Sequence, residues 1–295
     1  MPTLQKAAVN FRAKLTPQLS TFCKKHNVSP RTVLSVNPKT EKSLEETRIL
    51  HLAPNTISGF QVCPNAGNCR SICLHFAGIP YLMGGKKTCR VRKTLAYFDN
   101  PQRFLELTAT AILYNRSILA ADELLAIRLN GTSDLMWETL EFNVSPELSR
   151  MWQVKFGIYI VPFCYPSIPH MFSHYPELLI KLYDYTKNRH DWETCQDIGY
   201  HLTFSHDGQN NKKNAHIAAE AIAHGVNVAA AFSVKKGKPL PATVNLNGMS
   251  LPVLDGDLSD FRPNDPQGGH IVGLRFKLPH GIKYTPAQKM AFCIA

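Results

Sequence analysis

Short apolar runs alternate with helical stretches along most of this chain, and the runs end in polar clusters. Residues 49–54, 124–129, 179–185, 200–204 and 227–232 read as strands. Between them, Thr94 to Phe98, Pro101 to Tyr114 and Lys212 to His224 read as helices. Phe104, Leu105, Thr108, Ala111 and Ile112 form one apolar stripe, and Ile217, Ala218, Ala221 and Ile222 form another. Asn100 with Pro101 is a helix start, and Gly225 is a helix stop. This rhythm is that of βαβ units on a parallel sheet. Such sheets gather chemistry beyond the carboxyl ends of their strands. The polar clusters lie there: a cysteine loop, Asn130 to Asp134, Asp184 to Lys187, and Ser205 to Asp207. The prediction is an α/β fold, a full or partial β/α barrel with parallel strands over 48–295, behind an N-terminal extension over 1–47.

The remaining stretches are less regular. A short helix is expected from Leu4 to Leu15, and another starting at Leu135 to Leu140. Val154 to Val161 reads as a strand, followed by an irregular loop with Pro162, Pro166 and Pro169. Cys164 and His170 in that loop, and Cys23 near the start, are lone residues and are not taken as ligands. Pro176 to Leu179 reads as a helix exit. Asp255-Gly256-Asp257 reads as a surface turn, and Ile271 to Phe276 as a last strand. No internal repeat, low-complexity tract or Gly-rich phosphate loop occurs.

Four of the eight cysteines fall between Cys63 and Cys89. Pro64, Gly67 and Asn68 make the first gap a turn-rich loop that can fold back on itself. Cys69 and Cys73 are four apart, so one helical turn would put both on one face. Clustered thiolates suit an iron–sulfur cluster or zinc. Cys63, Cys69 and Cys73 are the expected ligands, with Cys89 as a fourth. A disulfide framework suits small secreted domains, which a 295-residue chain without a secretory signal does not resemble. A reducing cytoplasm is the expected compartment. No apolar run is long enough to span a membrane.

Gly131 permits a tight backbone at Asn130 to Asp134, while Thr132, Ser133 and Asp134 supply donors and acceptors. Two readings are open, a helix cap and a ligand-binding turn. The formal net charge of +11 favours an anionic partner such as nucleic acid. Lys86, Lys87, Arg90, Arg92 and Lys93 crowd around Cys89, and Lys235, Lys236 and Lys238 form a second basic run. The first group would contact phosphates or offset an anionic thiolate centre.

The ordered set of motifs resembles the phage "gene product 88" domain family over roughly 48–276. They are Cys63-x5-Cys69-x3-Cys73, Leu129 to Asp134 with Trp137-Glu138, Tyr183 to Asn188, His201 to Ser205, and Leu254 to Asp257. The layout is also similar to radical S-adenosylmethionine enzymes. There, three cysteines after the first strand hold a [4Fe–4S] cluster, and the open iron binds the nucleotide's amino and carboxylate groups. That similarity would assign Asn130, Thr132, Ser133 and Asp134 to the cofactor. The usual spacing is Cys-x3-Cys-x2-Cys, from which this chain departs. A fourth ligand at Cys89 would close the open iron.

Two functions follow. In the first, the chain is an enzyme with a [4Fe–4S] cluster, S-adenosylmethionine and a reductant protein. Asp184, Lys187, Ser205 and His206 would face a nucleotide or nucleic-acid substrate. In the second, four cysteines close a structural zinc or iron–sulfur site, and the basic patches bind nucleic acid or the chain acts on a host protein.

Overall fold

A computed structural model describes residues 13–36, 45–73, 84–208, 210–277 and 285–294. Two compact units divide the chain. The first comprises 1–52, 89–131 and 136–182, and the second 53–88, 132–135 and 183–295.

The elements of the first unit are α1 (Pro17–His26), β1 (Leu34–Ser35), β2 (Glu46–Leu50), most of α2 (Gly84–Asp99), α3 (Pro101–Ile118), β3 (Leu125–Arg128), β4 (Phe142–Asn143), α4 (Pro146–Phe156), β5 (Cys164–Tyr165), α5 (Ile168–Ser173) and the start of β6 (Ile180–Thr186). Its strands pair in the order β1-β2-β3-β6, parallel except for β1, with β4 and β5 as a separate antiparallel pair. Leu125, Ala126 and Ile127 are all buried, as strands covered on both faces require. α3 is buried without a break from Phe104 to Leu113. Its polar atoms are satisfied inside: the Trp152 indole donates to Thr110 Oγ1 at 2.9 Å, and that hydroxyl donates to Glu106 O at 2.7 Å.

The second unit takes the rest of β6, then α6 (Trp192–Asp197), β7 (His201–Ser205), α7 (Lys212–Ala223), β8 (Val228–Phe232), β9 (Thr243–Leu246), β10 (Met249–Asp255), β11 (Ile271–Arg275) and α8 (Pro286–Phe292). Its strand order is β6-β7-β8-β11-β10-β9, parallel except for β9. β6 serves both units. Ile180–Leu182 pair with β3, and Tyr183–Thr186 pair with β7. The fold is therefore mixed α/β with mostly parallel strands and flanking helices. Within each unit strands neighbour one another in chain order, β2, β3 and β6 in the first and β6, β7 and β8 in the second, as successive β/α units laid down in one direction do.

Several local expectations are corrected. Val154 to Val161 is not a strand. α4 runs through Phe156, because Ser145 caps its start, Pro146 occupies the first turn and Gly157 ends it at φ +72°. Caps at both ends outweigh the β-propensity of the valines. Beyond Gly157, Ile158 and Ile160 are buried while Tyr159, Val161 and Phe163 are exposed. Leu135 to Leu140 forms only a 3-10 turn at Trp137–Thr139. The helix containing Thr94 starts at Gly84 and includes Cys89. The periodic pattern missed α1, α6 and β9. The helix expected at Leu4 to Leu15 falls largely outside the described residues. The turn expected at Asp255-Gly256-Asp257 is present, and Arg275 Nη1 bonds both aspartates, at 2.7 and 3.1 Å.

Candidate metal centre in the second unit

Cys63, Cys69 and Cys73 all lie in the second unit and are partly buried. Cys63 sits where the chain leaves Gln61, whose side-chain oxygen accepts from Cys63 N at 2.9 Å. Its sulfur accepts from Asn55 N at 3.5 Å and donates to Thr132 O at 3.8 Å. Cys69 rides on a 3-10 turn, Gly67–Arg70, and Cys73 follows it. The sequence spacing suggested one α-helical turn; the tighter turn serves instead, and the two thiols still meet. The Cys73 thiol donates to the Cys69 sulfur. That bond, helped by the Lys187 ammonium, lowers the Cys69 pKa against burial, Asp207 and Asp134. Burial pushes Cys63 up to about 12. Among the described residues the three sulfurs do not all lie within 4.8 Å of one another. A single tetrahedral zinc would draw them to about 3.8 Å, from a Zn–S bond of about 2.3 Å.

A buried polar scaffold stands behind the thiols. Asp207, fully buried at the end of β7, receives the turn. Its Oδ2 accepts from Asn68 N at 2.8 Å and from Asn211 Nδ2 at 3.0 Å. Its Oδ1 accepts from Cys69 N at 3.0 Å and faces Lys187 Nζ at 3.3 Å. The same ammonium donates to Ser205 O at 3.1 Å and lies over the Phe292 ring. Asp134 is spent differently. Oδ1 accepts from Thr186 Oγ1 at 2.8 Å and Oδ2 from Lys187 N at 2.9 Å, while Asp134 N donates to Val62 O at 2.8 Å. It ties the end of β6 to the segment before Cys63. Asn188 donates to Asp134 O at 2.8 Å and accepts from Asn65 at 2.6 Å, and Lys213 donates to Asn65 at 3.1 Å.

The expected site residues thus divide. Thr132, Ser133, Asp134, Lys187, Ser205 and His206 share the second unit with the three cysteines. Asp184 is fully buried and accepts from the Tyr200 hydroxyl at 2.7 Å. Asn130 lies in the first unit, where its side chain accepts from the Trp137 indole at 3.1 Å. Cys89 lies on α2, also in the first unit. Of the basic residues around it, Lys93 is buried and donates to Val33 O at 3.0 Å, so it does not offer a phosphate contact. Lys235, Lys236 and Lys238 are exposed. Asp207 lies in one of the polar clusters that follow the strands but is not among the expected site residues. His190 and Cys195, both buried and with ligand-type atoms within 4.8 Å of each other, are likewise outside the expected set.

His206 is a buried neutral imidazole whose Nδ1 accepts from Gly208 N at 3.1 Å. Burial, then the Lys187 charge, lowers its pKa to about 4. The unfolded chain therefore binds a proton more readily, and the contribution is complete above pH ~6.5 and lost as pH falls towards the folded value. We expect His206→Gln to flatten the loss of stability between pH 6.5 and 4 by up to ~3 kcal/mol. Urea unfolding of both proteins across that range checks it, and parallel pH profiles would refute it.

The family model described as Gene product 88 matches residues 30–295. No curated protein and no solved structure matches the chain. No described helix is long and apolar enough to cross a membrane.

Proposed function

On the footing that the chain belongs to the Gene product 88 family, we propose that it is an iron–sulfur protein that works with S-adenosylmethionine on a nucleotide or nucleic acid. The carrying observation is the convergence of Cys63, Cys69 and Cys73, from one short segment, against the buried Asp207–Lys187 pair. The donor set fits the group: three soft sulfur ligands suit a cluster. With three ligands, such a centre would leave an iron free for a small molecule and would supply one-electron chemistry.

The chain's own residues would bind and enclose. Lys187 offsets the thiolate charge, and Asp207 and Asp134 hold the loops. Thr132 and Ser133 are the candidates to contact S-adenosylmethionine. Both oxygens of Asp134 are engaged by Thr186 and Lys187, so its part is to hold that turn in place. The net charge of +11 and the exposed Lys235, Lys236 and Lys238 support an anionic substrate.

Protein purified without air should be brown, carry iron and sulfide, and bind S-adenosylmethionine in calorimetry. Colourless protein with stoichiometric zinc would refute this reading.

A further inference from the structure

The turn that carries Cys69 has no side-chain cap of its own. The first amides of a helical turn lack internal partners and need an acceptor. Here the acceptor comes from far along the chain. Asn68 N and Cys69 N point at the two oxygens of Asp207, 2.8 and 3.0 Å away. The Asn68 side chain then closes on the backbone of the same residue, donating to Asp207 O at 2.8 Å. Asp207 is itself fixed from behind, since its N donates to Asn214 Oδ1 at 2.8 Å and Asn214 Nδ2 donates to Ser205 O at 3.1 Å. Room for the carboxylate exists because residue 67 is glycine. A Cβ there would stand 1.9 Å from Asp207 Oδ2.

We propose that Asp207 is the positioning residue of the sulfur centre, holding the Cys69 turn in ligating geometry through its two backbone amides. The inference rests on the cluster reading above. Both oxygens of Asp207 are taken by protein donors. Asp207 acts through the main chain of a ligand, as the outer partners of metal sites do, and loss of such partners typically costs about 10–100-fold in metal affinity. A carboxylate suits the task better than a neutral acceptor. It offers two oxygens to two convergent amides and balances the neighbouring Lys187 ammonium in a site closed to water.

The test uses the full chain reconstituted without air with Fe2+ and sulfide. Asp207→Asn keeps the shape but turns one acceptor into a donor. Expected are iron release to a chelator about 10–100-fold faster than wild type, an altered EPR spectrum of the reduced centre, and faster amide exchange over 67–73 in the metal-free protein. If Asp207→Asn fails to fold, Asn211→Ser serves. Serine still caps α7, but the 3.0 Å bond to Oδ2 is gone, and a smaller acceleration in the same direction is expected. Wild-type release rates and an unchanged spectrum in a folded variant overturn the proposal. A wild type that takes up no iron sinks the cluster reading and the metal-positioning role with it. Amide exchange would then still report separately whether Asp207 holds the turn.

Discussion

Cys69→Ser is expected to abolish iron retention, while Cys164→Ser leaves it at the wild-type level. Cys69 is where the site's interactions meet. Its sulfur accepts from Cys73, feels Lys187 and Cys63, and sits on the turn held by Asp207. Removing a ligand should cost more than the ~10–100-fold that follows loss of an outer partner. Cys164 is exposed and outside the three-cysteine segment, so its replacement removes a thiol but none of the proposed ligands. Iron per chain, measured after desalting in the presence of a chelator, separates the two variants. Equal iron in both would mean that the three-cysteine segment holds no metal.

Gly67→Ala should be the most damaging single-methyl change in that segment. Residue 67 has φ +50°, and a side chain in the left-handed region costs about 1–2 kcal/mol. The added Cβ also meets Asp207 Oδ2, Asn211 Nδ2 and Asp207 Cγ, the first at 1.9 Å. Either the carboxylate leaves the amides or the turn moves. A hydrogen bond to a charged group is worth about 1.5–3 kcal/mol, so the combined loss should reach about 3 kcal/mol in urea unfolding. Gly85→Ala is the control. Gly85 lies in α2 with open space around it, and alanine there should be neutral or stabilising by up to ~1 kcal/mol. A Gly67→Ala protein as stable as wild type would show that the turn is not clamped as described.

Much of the architecture is legible from local pattern. β3, β6, β7, β8 and β11 fall within a residue or two of the apolar runs that predict them. Asn100 with Pro101 marks the start of α3, and Gly225 follows α7 in the left-handed conformation. These features depend on neighbours a few residues apart, which a sequence displays directly. Failures came where two local signals competed. The valines near 154 suggest a strand, but Ser145, Pro146 and Gly157 bracket a helix. α1 and α6 are short and carry little periodic signal.

The candidate site divides along the same line. The sequence by itself determined that three cysteines on a turn-rich loop follow a strand, and that polar clusters follow the other strands. It also placed Asp134 and Ser205 to Asp207 among residues of interest. Only the tertiary structure decided which side chains serve as scaffold. Asp207 meets Asn68 across 139 positions, and Asp134 meets Lys187 across 53. Asp184 turned out to partner Tyr200. The physical reason is that a carboxylate's role is set by whichever donors burial brings to its two oxygens. Three of those donors, Asn68 N, Cys69 N and Lys187 N, are backbone amides, which every residue but proline carries and which no sequence pattern distinguishes.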